Sequence, residues 1–421
     1  MFQPLPLAGI ALALSVLASL AAGLTGTSAA FAGAFQLLAG VLLWRHVPRG
    51  VQRVSLILLI AGSAALLFAP RAVDLGGAIS KNQQMIAMFA AIGLLRYAPQ
   101  PKEVTTPQGS RALWQTLFGL HWLASVINIS SLAIFSDRMI GNDGKLGGFQ
   151  GLMLSRGFAL VALWSPFFVA MGVALTYAPG SSWLPLTLWG LPFSQLLLAG
   201  MIWRTIRTRP QEVADFRGYA FCPSTLIAPA GLAIGVLICH QFFPRLSILT
   251  IITLLAPCYP LLASRDKPMP TLLKDYVLRD LPRMGPEIVL FVSAGILGSG
   301  LGALVAGWNF SLAGTLHPLL LICLGLSVIL AAASIGVHPV VGVTVVSGIL
   351  ASAQLPPNLL AMSFLFGWGL GVVINPISGV HIFLSGRYGY PGEKAWHWNA
   401  PFVLLAYFAA CTWFGLIYLL R

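Results

Sequence analysis

The chain has 421 residues, of which 57% are hydrophobic and 8% charged, where an ordinary soluble domain carries about 25% charged residues. That leaves too little charge to cover a water-facing surface of this size, which excludes a soluble enzyme, a nucleic-acid binder and a disordered chain. The net charge of +13 is better read as basic loops held on the cytoplasmic side of a membrane than as affinity for nucleic acid.

The N-terminus, Met1–Ile10, has no basic residue ahead of its apolar run, so no cleaved signal peptide is expected. Blocks such as Leu5–Leu24 and Val51–Phe68 are as long as a bilayer core of about 30 Å requires. Barrel strands would instead alternate apolar and polar residues. The expected fold is an all-α polytopic membrane protein. Eleven spans are expected, at 5–24, 26–45, 51–70, 84–99, 156–177, 183–203, 222–243, 246–263, 286–307, 358–385 and 400–420. Two further apolar stretches, 112–137 and 312–354, do not fit as single spans. The first is interrupted by Asn128-Ile129-Ser130-Ser131, and the second has room for two limbs around a polar centre.

The basic residues decide how those stretches are treated. Arg45, Arg49 and Arg53 follow span two; Arg96, Lys102 and Arg111 follow span four. Arg204, Arg207, Arg209 and Arg217 follow span six; Arg265, Lys267, Lys274, Arg279 and Arg283 follow span eight. A single crossing by 112–137 would put Arg204–Arg217 outside, against the positive-inside rule. A re-entrant hairpin keeps every cluster inside. Treating 312–354 alike puts Gln354–Asn358 outside and Arg387 and Lys394 inside.

The element order then repeats: three spans, a hairpin and two spans, twice. Gln84 and Glu287 are 203 apart, Asn128 and Ser334 206 apart, and Pro166 and Pro376 210 apart. Five spans per unit make the second copy inverted. The expected organisation is an extra N-terminal helix at 1–25, a first repeat at 26–203, a cytoplasmic linker at 204–221 and a second repeat at 222–421. Inverted repeats with broken helices point to secondary transporters, because irregular backbone at membrane depth is tolerated only beside protein or a water-filled cavity.

Polar chemistry enters the apolar blocks in four places. At the first hairpin tip, Asn128, Ser130 and Ser131 offer neutral oxygens for a hard cation such as Na⁺ and donors for an anion. In span five, Ser165-Pro166 breaks or kinks the helix, because proline lacks a donor and displaces the carbonyl four residues earlier. The second tip runs from Ser334 through Gly336 to His338-Pro339. His338, with an ordinary pKa near 6.5, is read either as a proton carrier or as a neutral hydrogen-bonding group. In span ten, Asn375-Pro376-Ile377-Ser378 mirrors Ser165-Pro166 and is the strongest single motif. Arg156 and Arg387 flank the two broken helices; attraction of an anion is weighed against the preferred reading as positive-inside anchors.

No acid lies at the centre of a span, and Glu287 is near a span start, so a relay of paired carboxylates is not expected. No GxxxxGK[ST] loop is present, which removes ATP as an energy source. Cys222, Cys239, Cys258, Cys323 and Cys411 contain no CxxC pair and read as small core residues. The glycines Gly295 to Gly302 read as close helix packing.

On these residues the chain resembles the ion transporter superfamily, whose best-known branch is the divalent anion:sodium symporters. The resemblance covers about residues 26–420, chiefly as architecture. In that superfamily each hairpin tip carries a Ser-Asn-Thr-like motif and each following helix breaks at a proline-containing loop. Here Asn128-Ile129-Ser130-Ser131 stands at the first tip and Ser165-Pro166 at the first break. Ser334–His338 replaces the second tip motif, and Asn375-Pro376-Ile377-Ser378 stands at the second break. The resemblance implies a scaffold, a mobile transport domain and a homodimer; the expected location is a bacterial inner membrane. The reading is an elevator-type secondary transporter for a small anionic solute, coupled to Na⁺ or H⁺, without enzymatic activity or another cofactor. Its rivals are a membrane-embedded enzyme of envelope lipid or polysaccharide assembly and a non-transporting membrane subunit of a complex.

Overall fold

The computed structural model describes residues 4–70, 74–97, 107–140, 144–219, 227–263, 268–307, 314 and 316–420. Lys102, Glu103, Asp143, Cys222, Arg265, Asp266 and Lys267 lie outside the described residues, as do the side chains of Arg96 and Ser130. Every regular element among the described residues is helical, and one isolated antiparallel bridge joins Gln108 to Arg217.

Six described stretches are long and apolar enough to cross a bilayer: Leu5–Thr25, Arg49–Leu67, Trp183–Thr208, Met269–Val305, Pro357–Tyr388 and Gly392–Leu419. Shorter apolar helices accompany them, among them Gly148–Leu163, Pro318–Ser334 and Pro339–Leu350. Large apolar side chains such as Leu17, Ile57, Leu188 and Phe408 are exposed on these helices. In water such surfaces would associate, whereas lipid tails solvate them. The chain is an integral membrane protein by these features.

Several expected spans are shorter than a bilayer core. Helix Ala30–Leu43 has 14 residues, roughly 21 Å at 1.5 Å each. The 84–99 segment holds helix Gln83–Gly93 and a 3₁₀ turn at Leu94–Tyr97. The 246–263 segment divides into Ile248–Leu255 and Cys258–Ala263 at Pro257, which has no N–H to carry the helix through.

The chain forms two compact units, each drawn from both halves of the sequence. The first comprises Met1–Pro99, Ala230–Leu316 and Thr344–Gln354. Within it, helix Gly285–Gly307 packs on helix Arg49–Leu67 through glycines: a Cβ on Gly62 would lie 2.6 Å from Leu297 N, and one on Gly300 would lie 2.6 Å from Gly62 O. The close approach centres on Gly300; a Cβ on Gly302 would meet nothing within 4 Å. Asn82 interrupts the helical path of 75–93 and donates from Nδ2 to Phe291 O at 2.8 Å.

The second unit comprises Gln100–Pro229, His317–Val343 and Leu355–Arg421. It holds all eight candidate binding residues. Helix Gly109–Ile127 turns at Asn128 into helix Ile129–Met139. Both ends of this helix–turn–helix meet the same strip of chain. Gly109 N donates to Phe216 O at 2.9 Å, Arg138 of the second limb lies over the Tyr219 ring, and Gln150 Nε2 in the following helix donates to Arg217 O at 3.3 Å.

Candidate functional site

The first broken helix runs from Gly148 to Leu163, its last turn tightened to 3₁₀, and resumes at Val169–Tyr177. Pro166 cannot donate a backbone hydrogen bond, and the side chain before it rebuilds the turn. Ser165 Oγ accepts from Phe167 N at 3.2 Å and donates to Ser125 O, on helix Gly109–Ile127, at 2.5 Å. Helix Trp183–Thr208 satisfies the carbonyls freed near the break. Thr187 Oγ1 donates to Trp164 O at 3.0 Å and Ser194 Oγ donates to Leu160 O at 2.9 Å. That helix comes so close that a Cβ on Gly190 would lie 2.2 Å from Leu163 O.

The second broken helix runs Pro357–Ile374 and resumes at Gly379–Tyr388. Asn375 repeats the role of Ser165. Its Oδ1 accepts from Ile377 N at 2.9 Å, and its Nδ2 donates to Val337 O at the second tip at 3.0 Å. The backbone bonds match as well. Ser165 N donates to Val161 O and Phe168 N to Ser165 O; Asn375 N donates to Gly371 O and Ser378 N to Asn375 O. Each pair of equivalent residues is 210 apart. The two first halves touch, since a Cβ on Gly369 would lie 2.4 Å from Leu163 Cδ1.

The tips differ from one another. Asn128 has φ 55° and ψ −135°, a region that favours glycine. It is 8% exposed, and its Nδ2 is buried without a hydrogen-bond partner. Its carbonyl accepts from Ser131 N at 3.0 Å and from Ser131 Oγ at 2.6 Å. At the second tip Gly336 has φ +93° and closes helix Pro318–Ser334 with two bonds, Gly336 N to Ala333 O and Val337 N to Ala332 O. This is the Schellman arrangement, in which a left-handed residue ties off the last carbonyls. Ser334 Oγ donates to Ala331 O in its own helix at 2.7 Å. His338 Nδ1 accepts from Val340 N at 3.2 Å, capping helix Pro339–Leu350, and its ring stands edge-on to Trp368.

Several polar residues of the second unit escaped the sequence reading. His121 donates from Nδ1 to Gly157 O at 3.0 Å and accepts from Trp164 Nε1 at 2.9 Å, so both ring nitrogens are engaged. His381, 0% exposed, donates from Nδ1 to Asn375 O at 2.8 Å. Its backbone N donates to Ser378 Oγ, the N-cap of the resumed helix. Asn399, also 0% exposed, donates to Val373 O at 2.9 Å and accepts from Arg156 Nε at 2.7 Å. Arg156 also donates to Trp398 O at 2.7 Å and lies over the Phe402 ring. At 8% exposure it is not a water-facing anchor, so the preferred anchor reading is corrected. Apolar sequence on both sides of it, Leu152–Leu154 and Phe158–Leu163, buries it, and Asn399 with the Trp398 carbonyl replaces its water. Arg387 keeps a surface position and pairs with Asp137 at 3.0 Å. A Ser-x-x-His spacing after the second break was a legible signal for His381. Asn399, among aromatic residues, offered none.

No family model matches the chain, and no curated protein matches it. Among solved structures it is similar to the crystal structure of the Alcanivorax borkumensis YdaH transporter, described as having an unusual topology. The TM-score is 0.51 at 12% identity, over 87% of this chain and 97% of that one. At such identity the likeness is one of fold alone. It places the chain in the fold of a membrane transporter.

Proposed function

We propose that the protein is an elevator-type secondary transporter that moves a small anionic solute with coupling to Na⁺ or H⁺. The observation that carries this reading is the matching pair of helix breaks. Ser165-Pro166-Phe167 and Asn375-Pro376-Ile377 make the same backbone bonds and the same side-chain turn 210 residues apart, and each side chain also donates to a carbonyl of the hairpin before it. A structural kink needs no counterpart in the other half of the chain. Duplicated breaks supply two helix N-termini, whose partial positive charge suits an anion. An elevator carries its whole binding site on one body, and the eight candidate residues share the second compact unit.

Asn128 adds a second line of support. It combines a glycine-favoured backbone with an unpartnered buried amide, two costs that packing alone does not repay. We assign its Nδ2 to the solute, with Ser130 and Ser131 beside it as candidate oxygens for Na⁺. Ser165, Asn375 and Ser378 shape the two breaks, and Ser334 and His338 shape the second tip. The shared contact strip at Phe216–Arg217 supports a re-entrant first hairpin, and the paired breaks support the inverted repeat and the superfamily resemblance. The same resemblance extends the proposal to a homodimer, and the proposed location is a bacterial inner membrane.

Uptake by proteoliposomes tests the reading, using a panel of small mono- and dicarboxylates, phosphate and sulfate with imposed Na⁺ or H⁺ gradients. Concentrative uptake that falls at least tenfold in Asn128→Ala is expected. No gradient-driven uptake of any panel member, with folded protein in the bilayer, would overturn it.

A further inference from the structure

We infer that His381 Nε2, at the second helix break, is the binding site of a coupling proton. This deepens the transport reading above and rests on it. The second unit holds five histidines, of which His317 and His397 lie at or near helix starts, leaving His121, His338 and His381 beside the hairpins and breaks. His121 is saturated at both nitrogens, and protonation at Nε2 would expel the Trp164 N–H. His338 spends its Nδ1 lone pair as a helix cap for Val340. His381 differs. A carbonyl can only accept, so the 2.8 Å contact to Asn375 O places a hydrogen on Nδ1, and Ser378 Oγ, 3.1 Å from the same nitrogen, is a second acceptor for it. The basic lone pair of the neutral ring is then on Nε2, which is buried without a hydrogen-bond partner in a side chain that is 0% exposed.

An unpartnered buried acceptor is costly and so is an unpaired imidazolium, which an anion held at the break would offset; histidine is the side chain whose charge changes near neutral pH. The binding step is simple: the Nε2 lone pair takes a proton, an N–H bond forms, and the ring becomes an imidazolium that still donates through Nδ1. No other reactant is needed, and release to the opposite side reverses the step. The surroundings suit reversible binding. The Tyr390 ring stacks on the imidazole with centroids 5.9 Å apart. Helix Gly148–Ala159 packs against helix Gly379–Tyr388 and carries Arg156. The turn Gly392–Lys394 also packs there, with Glu393 and Lys394 exposed. Arg387 and Asp137 pair with each other at the surface end. Among the described residues no carboxylate contacts the ring, so no fixed counter-charge traps the proton.

A proton on His381 adds positive charge directly behind Asn375, where the break presents its helix N-terminus. Proton and anion then favour one another's binding, and the coupling is reciprocal. The second break thus holds the means of linking solute to H⁺.

The test uses the full chain in nanodiscs with ¹⁵N-histidine, its His381 signals assigned by their loss in His381→Asn. That variant keeps a donor toward Asn375 O and removes the titrating nitrogen. Between about pH 8 and about pH 5, His381 should change from Nδ1–H with bare Nε2 to doubly protonated. A ring that stays neutral, or carries its hydrogen on Nε2, would overturn the inference. If His381→Asn fails to fold, His381→Gln gives the assignment. Proteoliposomes supply the second readout. A one-unit inward acid gradient drives up to about tenfold accumulation of a co-transported solute at one proton each. His381→Asn should abolish that accumulation while leaving equilibrium exchange. Wild-type uptake that requires Na⁺ and ignores pH would sink the proton site but not transport. Absence of any uptake would sink transport, while the titration still decides the proton site.

Discussion

Asn128 is where strain and an orphaned donor coincide. Glycine adopts its backbone geometry freely, and a non-glycine residue held there costs about 1–3 kcal/mol. Asn128→Gly should therefore raise the melting temperature while lowering solute affinity. A variant that loses stability, or keeps full affinity, would show that the side chain is retained for packing. Asn375→Ala should behave differently. It removes bonds to both Val337 O and Ile377 N, about 1 kcal/mol each, and exposes no compensating group. A fall of about 2 kcal/mol in stability is expected, accompanied by loss of uptake. His338→Asn keeps an acceptor for Val340 N and should leave the pH profile of transport unchanged, measured as initial uptake rate against pH. The motif residues were legible because Pro beside Ser or Asn is conspicuous in apolar sequence. His381 and Asn399 were less so, because their partners are backbone carbonyls at the break, which composition does not mark.

Close backbone approach is the rule where elements meet. Helix Trp183–Thr208 satisfies the Leu160 and Trp164 carbonyls only because Gly190 lets it lie against the break. Gly190→Ala would force a methyl to 2.2 Å from Leu163 O, and backbone there must shift. The expected cost is about 1–3 kcal/mol, read as a lower melting temperature. Gly200→Ala in the same helix meets nothing within 4 Å and should be close to neutral, which separates contact from helix propensity. Equal effects at both positions would refute the close-approach argument. The sequence located the breaks within a few residues because proline marks them. It did not foresee the short helices Ala30–Leu43 and Gln83–Gly93, since hydropathy runs on through residues that do not extend the helix. Nor did it foresee Arg156 inside the unit, since a charge near a span end looks the same whether it points to water or to Asn399.

Across the second unit, contacts group the loops by side. Gln108 and Gln150 both reach the 214–217 strip, and Leu146 N donates to Tyr388 O. Asp137 pairs with Arg387. These loops were all expected inside. Ser182 N donates to Asn358 Oδ1 at 2.9 Å, and both of those loops were expected outside. A single crossing by 112–137 would require Gln108 and Gln150 to lie on opposite faces while touching one strip of chain. These contacts are the ones that the proposed re-entrant topology calls for. Single cysteines at Arg49, Arg207 and Lys274, in a background without the native cysteines, should react with an impermeant maleimide only from the cytoplasmic side. Cysteines at Ser181 and Gln354 should react only from outside. Labelling of Arg207→Cys from outside would remove the hairpin, and with it the inverted repeat. The paired breaks would then need an origin other than duplication, although their matching bonds would stand.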